Sequence, residues 1–288
     1  MMFWIIFFAV LAVLAAGYFF SILPATSRRQ ECLKFAEWNY AHRGLWNAAE
    51  GVPENSLPAF ARAAEQGYAI ELDVQITKDG RIVVFHDDNL SRMCGDDRLV
   101  IDVTYDELSK MRLLDTNEKI PLLSEVLETV GGRVPLLIEM KNERRVVWEL
   151  PRALYSIMKD YKGVYAIESF NPMFLRKYKK FDKTIARGML SMRFGEFKDQ
   201  CRRHQRLIAL TLENLMWNFM AKPDFIAYRI TDYKKVSLRL NHLLGATTVA
   251  WGTTDPSDIN TRTKKYFDGF ICDIEGKNEA LEGKENLK

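Results

Sequence analysis

From residue 39 to 274 the chain alternates short apolar runs, rich in β-branched residues, with amphipathic stretches of helical repeat. The runs at 39–44, 69–77, 81–87, 134–141, 164–170, 184–190, 225–231, 247–253 and 270–274 read as strands. That is one run more than a closed eight-stranded parallel barrel holds. The second and third runs are joined only by Lys78-Asp79-Gly80. Parallel neighbours need a crossover of about a dozen residues or more, so these two form an antiparallel hairpin. The other eight fit an α/β fold, a (β/α)8 TIM barrel. Between them, Ser56 is placed to cap a helix over 57–66, with Gly67 as its stop and Leu57, Phe60 and Ala64 on one face. Thr104 and Glu107 make a capping-box pattern, and Asp255-Pro256 marks the start of the last crossover helix. The stretch 90–130 is longer than one crossover needs and reads as a helical insertion behind the hairpin.

The first 23 residues have no polar face at all: they are apolar apart from Ser21 and carry no charged side chain. About 20 such residues cross a bilayer as a helix. A cleaved secretory signal would need a basic n-region and an apolar core of about 7–15 residues. The expected layout is therefore a transmembrane anchor at 1–24, a linker at 25–38 and a barrel domain at 39–288. Arg28, Arg29 and Lys34 follow the apolar segment and no Lys or Arg precedes it, which predicts a single-pass protein of the cell membrane with its barrel in the cytoplasm.

Composition changes this picture little. At 288 residues with 48% hydrophobic, the chain is sized for one such barrel, of about 250 residues. The 41 Lys and Arg nearly cancel the 38 Asp and Glu, so no basic excess points to nucleic acid, and an anionic substrate must be held by local charges. Cys32, Cys94, Cys201 and Cys272 are scattered without metal-ligand spacing and read as ordinary thiols.

In a parallel barrel the working rim lies at the C-terminal strand ends. There the sequence places His42-Arg43-Gly44, Glu71-Leu72-Asp73, His86-Asp87 and Glu139-Met140-Lys141. Side chains two apart on a strand share a face, so Glu71 and Asp73 point together and Glu139 points with Lys141. A half-exposed strand would give the same polar stripe, but a closed parallel barrel has no solvated strand face. Three converging carboxylates are hard oxygen ligands suited to Mg²⁺ or Ca²⁺. Two of the four histidines, His42 and His86, end strands that meet at this rim, and phosphodiester hydrolysis needs an acid and a base. His204 and His242 lie in helical surroundings and read as structural. Arg43 and Lys141 supply the positive charge a phosphodiester requires beside a carboxylate-rich centre.

These residues, in this order, resemble the glycerophosphodiester phosphodiesterase family: HRG at 42–44, PENS at 53–56, ELDVQITKDG at 71–80, VVFHD at 83–87 and IEMK at 138–141. The resemblance implies a TIM barrel that cuts glycerophosphodiesters to glycerol 3-phosphate and an alcohol. It implies a divalent metal on Glu71, Asp73 and Glu139, a His42/His86 acid-base pair and phosphate contacts from Arg43 and Lys141. It also draws in Glu54 and Asn55 as braces of the site, and Trp251 as a substrate-side residue. Two departures bear on substrate preference: Gly252-Thr253-Thr254-Asp255 follows Trp251, and no proline follows Asp273. Two rivals remain, a lysophospholipase D taking the same headgroup on a lipid, and a catalytically silent membrane-tethered binding protein. Loss of a carboxylate or histidine would favour the latter, and none is lost.

Overall fold

The computed structural model describes residues 1–141, 147–195, 203–253 and 256–272. In chain order the strands are β1 (Tyr40–His42), β2 (Ala69–Ile76), β3 (Ile82–Val84), β4 (Asn89–Leu90), β5 (Asp96–Leu99), β6 (Leu136–Met140), β7 (Tyr165–Ser169), β8 (Ala186–Ser191), β9 (Phe225–Arg229), β10 (Thr247–Thr253) and β11 (Gly269–Cys272). Parallel pairing runs from β1 through β11, β10, β9, β8, β7 and β6 to β2, and β1 pairs again with β2, with His42 opposite Glu71. The result is a closed eight-stranded TIM barrel. As its short turn demands, β3 lies antiparallel to β2, with Val74 opposite Val84.

The insertion is not purely helical. It holds the antiparallel pair β4–β5, a short helix Ser91–Cys94 and the helix Tyr105–Leu108, whose capping box joins Thr104 and Glu107. Its small apolar core includes Leu90, Met93, Val100, Leu108, Leu113 and Ile120. The helix Leu123–Val130 then serves as the crossover to β6, packing Val126 and Val130 into the main core. Strands of two and four residues are too short to print an alternation on the sequence.

Side chains pointing outward from the strands meet the surrounding helices in the main core, which includes Ile70, Leu72, Ile138, Ile167 and Ile226. Inside the barrel a separate cluster of Tyr40, Ala69, Leu137, Ala166, Ala227, Val249 and Ile271 fills the lumen. Its floor is closed by a helix, Arg29–Ala36, within the stretch read as a linker; Cys32 and Ala36 are buried against the lumen. Gly269 permits this approach, because a Cβ there would lie 2.4 Å from the carbonyl oxygen of Ala36. Gly269→Ala is expected to push the floor helix away and cost about 1–3 kcal/mol, as overpacking of a filled core does. An unchanged urea midpoint would show that the floor helix does not contribute to stability.

Met2–Ile22 is one helix long and apolar enough to cross a membrane, a property shared by signal sequences. Cys32 and Cys94 are free thiols. Asp255 as a helix cap, residues 273–274 of the last strand, Cys201 and the His204 side chain lie outside the described residues.

Candidate active site

After His42 the chain turns through two residues in left-handed conformation, Arg43 (φ 61°) and Gly44 (φ 85°). Glycine is needed second, since a Cβ there would sit 3.0 Å from Ala59 and Phe60. Arg43 has no such exemption, and a non-glycine residue in this region costs about 1–3 kcal/mol. Its contacts hold it there. Its backbone N–H donates to Glu71 Oε2 (3.2 Å), its Nη1 to Glu54 Oε1 (2.9 Å), and its carbonyl accepts from the N–H of Asn55 (2.9 Å). Asn55, itself left-handed at φ 54°, donates from Nδ2 to Asp73 Oδ2 at 2.9 Å. Glu54 and Asn55 thus tie the turn to the carboxylates of β2.

Asp73 on β2 lies opposite Glu139 on β6. One oxygen from each of Glu71, Asp73 and Glu139 falls within 4.8 Å of the others, and all three side chains are buried. Burial drives the Glu71 carboxyl well above the usual range, with Asp73 adding to the effect. Burial also pushes Glu139 up to about 6, with Lys141 opposing it. For Asp73 burial is outweighed by Lys141, His86 and Arg43, which hold it well below the usual range. Lys141 Nζ stands 3.3 Å from Glu139 and 3.5 Å from Asp73. Asp73 Oδ1 is buried and accepts no hydrogen bond. Three hard oxygens gathered this closely fit a hard divalent cation, which would relieve their mutual repulsion.

His86 arrives on the chain leaving β3, whose backbone is pinned by Gln75: its Nε2 donates to the carbonyls of Phe85 (2.9 Å) and Asp87 (2.7 Å). His86 Nδ1 lies 2.7 Å from Asp87 Oδ1, so Nε2 is the nitrogen turned to other chemistry. Arg92 Nε donates to Asp87 Oδ2 (2.6 Å), and its Nη1 and Nη2 donate to Glu54 (3.0 and 2.6 Å). Burial of Asp87 is overcome by these hydrogen bonds from His86 and Arg92, which hold its carboxyl well below the usual range. The chain His86–Asp87–Arg92–Glu54–Arg43 therefore fixes both sides of the rim relative to one another. On the opposite side, His42 Nε2 stands 3.8 Å from Glu71 Oε2.

His42, Arg43, Glu71, His86, Glu139, Lys141 and Trp251 line a single cavity of about 350 Å³ at the C-terminal end of the barrel. Asp73 is buried between Asn55, Arg43 and Lys141, while Glu54 braces from the side. The cavity is two-sided. Its other half is apolar, with Phe170, Leu190, Met192, Trp251 and Ile271, and the rings of Phe170 and Trp251 meet edge to face at 5.7 Å.

Sequence reasoning missed two residues here. Arg92 sits in the insertion and reaches Glu54 across 38 positions, a distance no local pattern reveals. Glu168 on β7, opposite Glu139, is a fourth carboxylate on the cavity wall; it is 2% exposed, and its Oε2 has no hydrogen-bond partner. Burial drives its carboxyl well above the usual range, and Glu139 and Asp73 add to this. The signal was a lone acid in the apolar run Tyr165-Ala166-Ile167-Glu168, two residues before Phe170 on the same face.

The fold and its C-terminal mouth define a closed TIM barrel that gathers three buried carboxylates, two rim histidines and two cations at one end. The sequence profile described as the Glycerophosphoryl diester phosphodiesterase family matches residues 42–276, and the chain belongs to that family. It is similar to the glycerophosphodiester phosphodiesterase of Caldanaerobacter subterraneus subsp. tengcongensis, 37% identical over 52% of this chain and 65% of that one. It is also similar to a lysophospholipase D of Rattus norvegicus, 34% identical over 48% of this chain and 46% of that one. The chain thus spans less than two thirds of each of these curated relatives. A solved Oleispira antarctica phosphodiesterase, in complex with sn-glycerol-3-phosphate as product, shares the fold with a TM-score of 0.67 at 23% identity, over 86% of this chain and 98% of that one.

Proposed function

We propose that this chain hydrolyses glycerophosphodiesters to glycerol 3-phosphate and an alcohol. The observation that carries this reading is one cavity at the C-terminal mouth lined by two histidines, two cations and Glu71 and Glu139, with Asp73 clustered behind those two carboxylates. Glu71, Asp73 and Glu139 are the residues that would hold Mg²⁺ or Ca²⁺, which supplies a Lewis acid for a phosphoryl oxygen when bound. Arg43 and Lys141 offset the carboxylates so that an anionic diester enters, and they face the charge that grows on the phosphoryl oxygens as the ester oxygen departs. One histidine takes a proton from the attacking glycerol hydroxyl while the other gives one to the leaving alcohol oxygen, and water then opens the resulting cyclic phosphate to glycerol 3-phosphate. Asp87 fixes the ring of His86 for this work, and the Arg92–Glu54 bridge fixes Asp87.

Roles for the apolar half follow from its chemistry. Trp251 and Phe170 form a wall that makes no directed polar contact, suited to an alcohol of variable structure. The same wall gives the second reading its weight, since an acyl chain would also be accepted there, and a relative carries the name lysophospholipase D. Comparing kcat/KM for glycerophosphoethanolamine and its lysophospholipid counterpart separates the two. The small diester is expected to be the better substrate; a tenfold preference for the lysolipid, about 1.4 kcal/mol of transition-state binding, would reverse the assignment. Turnover of neither would favour a silent binding protein.

The apolar N-terminal helix is read as an anchor in the cell membrane, with the barrel on the cytoplasmic side where Arg28, Arg29 and Lys34 lie. Cleavage of the barrel by protease added outside intact cells would put it on the other side.

A further inference from the structure

The N-terminal helix does not hang free of the barrel. Its residues 2–17 are all exposed, but its last turn is locked down: Ile22 is fully buried, and its carbonyl accepts a hydrogen bond from Asn218 Nδ2 at 2.9 Å. The same amide of Asn218 donates to Asn241 Oδ1 at 3.1 Å, the ring of Phe20 meets that of Phe219 at 6.0 Å, and the N–H of Ala25 donates to the Pro223 carbonyl at 3.0 Å. Residues 218–223 lead directly into β9 and residues 241–246 into β10, so every contact is with the N-terminal face of the barrel. The candidate active site opens at the opposite face.

Around the point where the helix leaves, the N-terminal face exposes large apolar side chains that a water-facing surface does not need: Leu243 is 80% exposed, Phe219 41%, Leu244 40% and Leu23 38%. Basic groups stand beside them. Lys222 and Lys183 are exposed and lie close enough to Lys179 to help, after burial and the nearby Arg187, push its ammonium below the usual value. Arg28, at the head of the helix that floors the barrel, is paired with Glu31 and so adds no net charge to this face. Apolar residues interleaved with lysines and continuous with a membrane-length helix match one occupant, the headgroup layer of an anionic bilayer.

We propose that the N-terminal face of the barrel rests on the bilayer surface, and that the locked last turn of the helix holds the candidate active site pointing away from the membrane. This rests on the reading of Met2–Ile22 as a membrane anchor. It deepens the substrate assignment: a cavity aimed at the aqueous phase takes a dissolved, deacylated phosphodiester and does not reach a lysophospholipid whose chain lies in the same membrane. The anchor thereby sets orientation as well as location.

The test uses the full chain in vesicles of phosphatidylcholine and phosphatidylglycerol, with the photo-crosslinker p-benzoylphenylalanine placed in turn at Leu14, Leu243 and Lys78, and lipid adducts read by mass spectrometry. Lys78 is exposed at the hairpin tip beyond the C-terminal end of β2. Adducts are expected at Leu14 and Leu243, with at least tenfold fewer at Lys78. Adducts at Lys78 matching those at Leu243 would overturn the orientation, and adducts at Leu14 alone would show that the face stands off the bilayer. Absence of adducts at Leu14 would remove the anchor on which the proposal rests, while leaving the hydrolytic assignment to be judged by turnover of the dissolved diester. As a second reading, the vesicle-bound chain is expected to turn over aqueous glycerophosphoethanolamine at least tenfold faster than a lysophospholipid embedded in the same vesicles; equal rates would contradict the proposed orientation.

Discussion

Glu71→Ala and Glu139→Ala are each expected to abolish measurable turnover while leaving the metal-free fold as stable as before, or more so. The two carboxylates are buried beside Asp73, with one oxygen from each residue inside a 4.8 Å cluster. In the metal-free chain burial, and the charge of Asp73, already press the Glu71 carboxyl toward its neutral form and burial raises Glu139, so removing either one relieves an unfavourable, poorly solvated cluster. A purely structural ion-pair role predicts the opposite, because deleting one partner of a buried pair leaves an uncompensated charge and costs about 3–5 kcal/mol. With the metal site broken, the loss of Lewis-acid stabilisation amounts to several kcal/mol, or at least about 10³-fold in rate at 1.36 kcal/mol per decade. Thermal unfolding in EDTA and steady-state turnover with added Mg²⁺ or Ca²⁺ together decide the matter. Near-normal turnover in both variants would show that the cluster holds no catalytic ion.

His42→Ala and His86→Ala come next, each expected to lower kcat by about 10² to 10⁴ with the fold intact, the usual worth of a positioned acid or base. The two losses should not multiply in the double variant, because groups acting as a unit fail together. A smaller effect is expected of Asp87→Asn, since Asp87 reaches the reaction only through Nδ1 of His86. Its signature would be an altered pH profile of kcat, with KM little changed. A His86 variant that keeps wild-type kcat on a substrate with a poor leaving group would reduce that histidine to a structural part.

Most of the barrel was legible because its strands are buried on both faces and so stand out as continuous apolar runs, and because a three-residue link between two of them admits only a hairpin. The clustering of the carboxylates and histidines was legible for a related reason: inside a closed barrel a polar side chain at a strand end has no solvent to face, so Glu71, Asp73 and Glu139 had to point at one another or at a ligand. What stayed hidden depends on contacts between distant segments. The floor helix Arg29–Ala36 is short, half of its residues are polar, and it looks like a linker until Gly269 is seen to make room for it. Arg92 has no local mark of its task, because its partners Asp87 and Glu54 come from different sides of the rim. Glu168 carried a signal, an acid alone in an apolar strand, but without the register of β7 against β6 it could not be placed beside Glu139. The β4–β5 pair was too short for its alternation to show.

The central claim is a metal-dependent cleavage of glycerophosphodiesters at this rim, and glycerol 3-phosphate release by the full chain is its most direct test. The chain is stripped of metal with EDTA, supplied with glycerophosphoethanolamine, and titrated with Mg²⁺ or Ca²⁺. The account predicts no product before addition of the ion, and afterwards formation of glycerol 3-phosphate and ethanolamine that saturates as one ion per chain is bound. Full activity in the metal-free chain, or no glycerol 3-phosphate with either ion, would contradict it.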